Sequence, residues 1–240
     1  MAANSRSLER LTKAFSSGLT DDQRKRLSFI EADVTTNEGL DKLIKGATTS
    51  FQGKLSVLVN NAGNAPLGLV FGSDAWSDSS VDATFSVFLR APVLLLNRSV
   101  PLLAAAAKDS GRTSSVINIT SVVAERPASG GFVPYSAAKA GLDAITKGAA
   151  AELAEKRIRV SSVAPGVTTT NFMSAAGVPN TAVSDFEAQQ AAKNIPLKRV
   201  GVPEDIAHAV SFLADDARSS WITGSIITVD GGHRVRSLLA

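Results

Sequence analysis

Tyr135 and Lys139 stand four residues apart in "PYSAAKAG", and Tyr135 is the only tyrosine among 240 residues. On a helix, positions i and i+4 share a face, and the intervening Ser136, Ala137 and Ala138 are too small to screen one from the other. A cation beside a phenol favours phenolate and draws its pKa from about 10 toward neutrality, often by about one to three pH units. A phenol so tuned can take or give a proton as a general acid or base. Ser121 lies upstream across the loop "VVAERPASGGFVP", which is long enough to fold back and bring a second hydroxyl to the same substrate oxygen. Standing alone, a Tyr-x-x-x-Lys spacing reads as a surface pair of no consequence, so its weight depends on its surroundings.

Such residues work only on a scaffold that aims them. Runs rich in Val, Ile and Leu predict strands at 27–31 ("LSFIE"), 55–60 ("LSVLVN"), 115–119 ("SVINI"), 158–163 ("IRVSSV") and 225–229 ("SIITV"). Several are apolar at nearly every position, as strands buried on both faces require. Helical patterning falls between them near 6–16, 37–50, 79–107, 135–156 and 203–214, the last opened by Pro203-Glu204-Asp205. The alternation predicts one α/β domain over residues 1–240, with a parallel sheet covered by helices on both faces. In such sheets ligands collect at the carboxyl ends of the strands. There the chain places Asn61-Ala62-Gly63 (completing "NNAG"), Thr120-Ser121, "APGVTTTNF" and "DGG". Each is ordinary turn chemistry by itself; four in order make that reading hard to sustain.

Composition narrows the chemistry. With 25 Lys and Arg against 22 Asp and Glu, the formal charge of +3 argues for neither nucleic acid nor an acidic membrane as partner. There is no cysteine, so disulfides and thiolate chemistry are excluded, and the two histidines, His208 and His233, cannot build a histidine metal cage. No metal site is expected. The N-terminal residues lack an apolar signal core, and the most apolar stretch, 91–107, is broken by Asn97, Arg98 and Ser99. A cytoplasmic location follows as the expectation.

In this order, NNAG, a strand-end serine, YxxxK, PGxxxT and DGG resemble the short-chain dehydrogenase/reductase family, and the resemblance runs from about Arg6 to Val235. It includes Asp33 in "ADVT", where the family places an acid near the adenine. The resemblance implies a Rossmann-like doubly wound parallel sheet and an oxidoreductase that transfers hydride between NADP(H) and a small apolar carbonyl or alcohol. Carried onto matching positions, Tyr135 exchanges a proton with the substrate oxygen, Lys139 lowers its pKa and holds the nicotinamide ribose, and Ser121 steadies the oxygen. Asp33, Asn60, Arg90, Val167, Thr168 and Thr170 line the cofactor with Tyr135 and Lys139. NADP(H) is expected over NAD(H), because Arg6 stands near the end of the family's second strand with no acid at Asn4 or Ser5. A substrate lid is expected near 168–200, where Phe172, Met173, Val178 and Phe186 suggest apolar substrates. Ala140, Gly141, Ala144 and Gly148 lie on the helix that commonly forms the family's subunit interface, which implies a homodimer or homotetramer.

Two positions depart from the family pattern. In "FSVFLRAP" Phe88 stands where the family carries an asparagine that holds water beside the lysine. The family also opens with a strand, a TGxxxGxG loop and a helix ahead of the segment that "NSRSLERL" resembles, and no GxxxGxG or GxGxxG occurs in this chain. The fold is therefore expected to lack its first strand-helix-strand unit, and the five predicted strands to shift from their places. Other readings stay open: a non-redox acid/base enzyme (isomerase, dehydratase or cyclase), an inactive remnant acting by association, or acyl transfer through Ser136 and Lys139, which lacks an SDN or KTG companion.

Overall fold

The computed structural model of the protein describes all residues except 17–18, 65–69, 75, 176–177 and 236–240, so part of the expected lid lies outside the described residues. Among the described residues there are six strands rather than the expected five, and they form two parallel sheets. β1 (Ala2–Ser5) pairs with β2 (Ser28–Glu31), Ala2 opposite Ser28 and Ser5 opposite Glu31. β3 (Val57–Asn60), β4 (Ser114–Ile119), β5 (Ile158–Pro165) and β6 (Ile226–Val229) form the second sheet in that order. β1 was not foreseen because Ala-Ala-Asn-Ser has no apolar signal; its geometry is set by pairing, with Asn4 Nδ2 donating to the carbonyls of Ile30 and Ala32 at 3.0 Å each. Nor do the strands crowd into one rearranged sheet: no ladder of hydrogen bonds joins the two sheets among the described residues.

The helices supply the covering layers. α1 (Leu8–Ala14) and α2 (Asp21–Lys25) lie between β1 and β2. α2 buries nothing and is held instead by a capping box, Thr20 with Gln23. α3 (Asn37–Ser50) follows β2, its first turn capped by the Thr36 hydroxyl. The helix expected over 79–107 is three segments: α4 (Asp78–Phe85), a π-helical turn over Ser86–Arg90, and α5 (Ala91–Ser110), which ends on Gly111 in the left-handed region at φ 69°. α6 (Val133–Leu153) joins β4 to β5. α7 (Phe172–Ala175), α8 (Asn180–Gln189), α9 (Pro203–Ala214) and α10 (Asp216–Ser219) lead to β6.

Successive residues of a strand face opposite sides, and β4 and β5 show the result. Val116 and Val160 pack with Leu96 and Leu103 of α5 and Ala150 and Leu153 of α6. Ile117 and Val163 face the other way, onto Leu213 of α9. The stretch Asp78–Ser110 has the length and apolarity of a membrane span, and in the fold its α5 portion serves as a core helix.

Candidate active site

Three chain segments meet where β4 ends and α6 begins. β4 delivers Thr120 and Ser121 beyond Ile119, and Ser121 opens a short 3-10 turn, Val122–Ala124, whose Val123 N–H donates to the Ser121 hydroxyl at 3.4 Å. α6 starts with Pro134 in its first turn, where a missing N–H costs nothing. Tyr135 therefore stands in the first turn, at the positive end of the helix, with Lys139 one turn further in. The Tyr135 hydroxyl is hydrogen-bonded to Ser121. The structure thus brings Ser121, Tyr135 and Lys139 together, as their types and spacing suggest.

The pKa directions differ from the expectation drawn from spacing. Burial pushes the Tyr135 phenol up to about 12, with the Ser121 hydrogen bond opposing it. Burial also pulls the Lys139 ammonium down to about 7, against the attraction of Asp143. Geometry gives the reason. Lys139 is only 6% exposed, and its Nζ donates to the Ile119 carbonyl at 2.6 Å rather than to the phenol. It also lies 4.8 Å from the centre of the Phe88 ring, a cation–π contact that partly replaces lost water. Desolvation therefore outweighs the neighbouring charge at Tyr135.

Phe88 occupies the middle of an aromatic wall. Its ring meets Tyr135 edge-on at 4.8 Å and Phe172 at 6.2 Å. Tyr135 in turn lies 5.8 Å from Phe172 and 6.4 Å from Phe132. The π-helical turn buries both Val87 and Phe88 in succession, and such turns recur at functional sites. Across from the ring, a Cβ added at Gly63 would come within 2.4 Å of Phe88 Cε1, so the glycine of NNAG is what admits the ring there.

The remaining predicted site residues fall into separate settings. Asn60 donates to Asn118 Oδ1 at 2.8 Å, and Asn118 Nδ2 donates to Thr146 Oγ1 at 2.8 Å. The single Thr146 proton goes to the Leu142 carbonyl, so Ser162 Oγ donates to Thr146. Val167 and Thr168 are tied to Gly201, through the Val167 carbonyl and a parallel bridge respectively, and the Thr170 hydroxyl accepts from Phe172 N–H. Arg90 donates to the Thr35 carbonyl and to Asn37 Oδ1. Asp33 sits beside Arg6 at 4.0 Å. The Thr35 hydroxyl and N–H, and then Arg6, hold its carboxyl below the usual carboxylate range. These two residues, with Glu31, Ala32, Thr36 and Lys42, line a cavity of about 420 Å³ at the end of the small sheet.

Sequence reasoning passed over Asp143 and the Ile119 carbonyl. Asp143 continues the stride of four from Tyr135 and Lys139, and Lys147 extends it again; that periodicity was the available signal. Burial pushes the Asp143 carboxyl up, against the Thr120 hydrogen bond and the charges of Lys147 and Lys139.

This geometry has close counterparts. A family model described as enoyl-(acyl carrier protein) reductase matches residues 3–234. A 3-oxoacyl-[acyl-carrier-protein] reductase, FabG, of Chlamydia muridarum is 32% identical over 226 residues, covering 93% of this chain and 83% of that protein. Among solved structures, a short-chain dehydrogenase/reductase of unknown function from Caenorhabditis elegans, determined with cofactor, superposes with a TM-score of 0.87 at 34% identity. The match covers 99% of this chain and 87% of that one. The apo-form of a glucose dehydrogenase of the same organism gives 0.75 at 31% identity, covering 98% and 86%. With parallel sheets, Rossmann-fold neighbours and a match over nearly its whole length, the chain belongs to the short-chain dehydrogenase/reductase family of oxidoreductases.

Proposed function

We propose that the chain reduces a small apolar carbonyl compound, or oxidises the corresponding alcohol, with NADP(H) as hydride carrier and Tyr135 as general acid/base. The observation that carries this reading is the convergence of Ser121, Tyr135 and Lys139 beside an aromatic wall at the carboxyl end of β4. The donor set suits a dinucleotide: a cation and a carboxylate line one cavity at Arg6 and Asp33, and hydroxyl, phenol and ammonium groups stand at the other end. Arg6 would take a ribose phosphate as a charge-assisted partner, and Asp33 would lie near the adenine. Asn60, Arg90, Val167, Thr168 and Thr170 are assigned to the cofactor on family pattern. The bound cofactor would supply or accept the hydride, which no side chain can do.

The residues of the chain then perform the proton chemistry. Ser121 donates to the substrate oxygen and holds it within reach of Tyr135. As that oxygen gains negative charge, the Tyr135 O–H bond breaks toward it, and the raised phenol pKa keeps the proton available at neutral pH. The phenolate left behind is favoured by Lys139 when that group is charged, and by the amino end of α6. Phe88, Phe132 and Phe172 keep bulk water away and match an apolar substrate body. The 3-oxoacyl specificity in the names of relatives is compatible with this wall. The family's habit of pairing through this region makes a homodimer or homotetramer the proposed assembly, and the chain is proposed to act in the cytoplasm.

Phe88 favours a second reading. It leaves Lys139 facing a ring rather than water, and a non-redox acid/base reaction would need no relay there. Calorimetric titration with NADPH and NADH separates the two. The expected result is tighter NADPH binding, with Arg6→Ala weakening NADPH about tenfold or more, since a hydrogen bond to a charged group contributes about 1.5–3 kcal/mol, while NADH is unaffected. Binding of neither nucleotide would favour the non-redox reading, and tighter NADH binding would overturn the role given to Arg6.

A further inference from the structure

Behind Ser121 lies a cavity of about 420 Å³, distinct from the one at Arg6 and lined by Ser121, Glu125, Asp143, Lys147, Thr228 and Arg234. Ser121 thus belongs to both the active site and this cavity. Lys139 does not line this cavity and is closed in, its Nζ donating to the Ile119 carbonyl and lying over the Phe88 ring. Asp143, one turn beyond Lys139, has an Oδ1 that is buried without a hydrogen-bond partner in the described structure. A buried carboxylate oxygen left bare is costly, and burial pushes this carboxyl toward its protonated form, while Asp143 shares the wall of the cavity with Ser121.

We infer that the proton exchanged at Tyr135 travels through Ser121 and water in this second cavity, with Asp143 as the positioning residue that holds that water and passes the proton to solvent. The inference rests on the acid/base role proposed for Tyr135 and goes beyond it by naming the route. In the reductive direction the Tyr135 O–H bond breaks as the substrate oxygen takes the proton. The Ser121 hydroxyl proton moves to the phenolate oxygen, a water proton replaces it on Ser121, and the Asp143 carboxyl restores the water. Asp143 regains a proton from solvent, so one proton from solution is consumed for each alcohol formed. The groups facing Asp143 suit the task. Lys139 and Lys147 lie on its own helix, Thr120 donates from the end of β4, Glu125 lies beyond the 3-10 turn, and Arg234 is paired with Glu125 on the cavity wall. β6 contributes the uncharged Ile226 and Thr228.

Because Tyr135 is the only tyrosine, its ionisation can be followed in cofactor-free protein by phenolate absorbance after an upward pH jump. Asp143→Asn should slow that ionisation about tenfold or more, and Asp143→Glu should restore most of the rate. Ala144→Leu, an exposed position on the same wall, fills the cavity while keeping every ionisable group, and should also slow the step. It therefore tests the route even if Asp143→Asn melts at assay temperature. In the NADPH-loaded enzyme, Asp143→Asn should raise the solvent deuterium isotope effect on kcat and displace its pH profile, leaving KM for the carbonyl compound within about twofold. Phenol ionisation at the wild-type rate in both Asp143→Asn and Ala144→Leu would overturn the route. Slowed ionisation in a protein that binds no nicotinamide nucleotide would instead leave the route standing and remove the redox function.

Discussion

Lys139 should make the stability of this protein rise with pH across a range where most proteins are past their optimum. Its ammonium falls from the ordinary 10.5 to about 7 on folding, because burial penalises the charged form. Between those two values the unfolded chain binds a proton that the native chain does not, and stability rises with pH wherever the unfolded state binds more protons. The window spans about three and a half pH units, and at about 1.4 kcal/mol for each the gain is up to about 5 kcal/mol, complete near pH 10.5. That is a large part of the ordinary 5–15 kcal/mol of domain stability. Tyr135 works in the opposite sense at higher pH. With a phenol at about 12 in the fold against 10.0 outside it, the native state keeps a proton that the unfolded chain loses, so stability declines as pH rises through that window. The assay is urea unfolding at intervals from about pH 6 to 11, on the wild type and on Lys139→Met, which keeps the buried stem and removes the charge. The wild-type unfolding free energy should climb by several kcal/mol toward a maximum near pH 10, while Lys139→Met should lack the climb and be the more stable protein near pH 7. Parallel curves, or a wild-type curve that is level between pH 7 and 10, would refute the claim that desolvation dominates at Lys139.

Two further changes test the packing that holds the site. Gly63→Ala places a methyl 2.4 Å from Phe88 Cε1, so the ring must shift from its place over Lys139; overpacking of this kind costs about 1–3 kcal/mol, readable as a melting temperature lowered by several degrees, and Phe88→Leu in the same chain should recover part of the loss. Asn118→Ala strands the Asn60 amide and removes one of the donors to Thr146 within the fully buried network, and at about 1–3 kcal/mol for each unsatisfied group it should be the more damaging of the two in chemical denaturation.

The central sheet was legible because it is buried on both sides. β4 and β5 read as largely apolar or small runs, broken only by Asn118 and Arg159, and their residues are almost wholly excluded from solvent; the predicted 115–119 and 158–163 differ from the observed strands by one or two residues. β1 was not legible, since Ala-Ala-Asn-Ser carries no pattern and becomes a strand only through its partner β2. α2 was missed for a related reason: its five residues bury nothing, so periodicity had nothing to report, and the usable signal was the Thr-x-x-Gln capping box. The π-helical turn at Ser86–Arg90 was hidden because its composition is that of any apolar helix. That turn nonetheless decides where Phe88 points.

The site shows the same division between what spacing carries and what packing adds. A stride of four places Tyr135, Lys139, Asp143 and Lys147 along one side of α6, and that much follows from helix geometry. Whether a neighbouring cation lowers a phenol's pKa depends on a second quantity that spacing does not carry, the water removed by everything else packed there. A cation near a phenol favours phenolate, whereas burial favours the neutral forms of both, so the two effects oppose each other at Tyr135 and the outcome turns on Phe88, Phe172 and the Ile119 carbonyl. Those three come from the π-helical turn, α7 and the end of β4, far apart in sequence. With an aromatic wall on one side, burial pulls the Lys139 pKa down to about 7 and pushes the Tyr135 phenol up to about 12. The open side is the cavity shared by Ser121 and Asp143, so the proposed path for the proton follows where the packing leaves room for water.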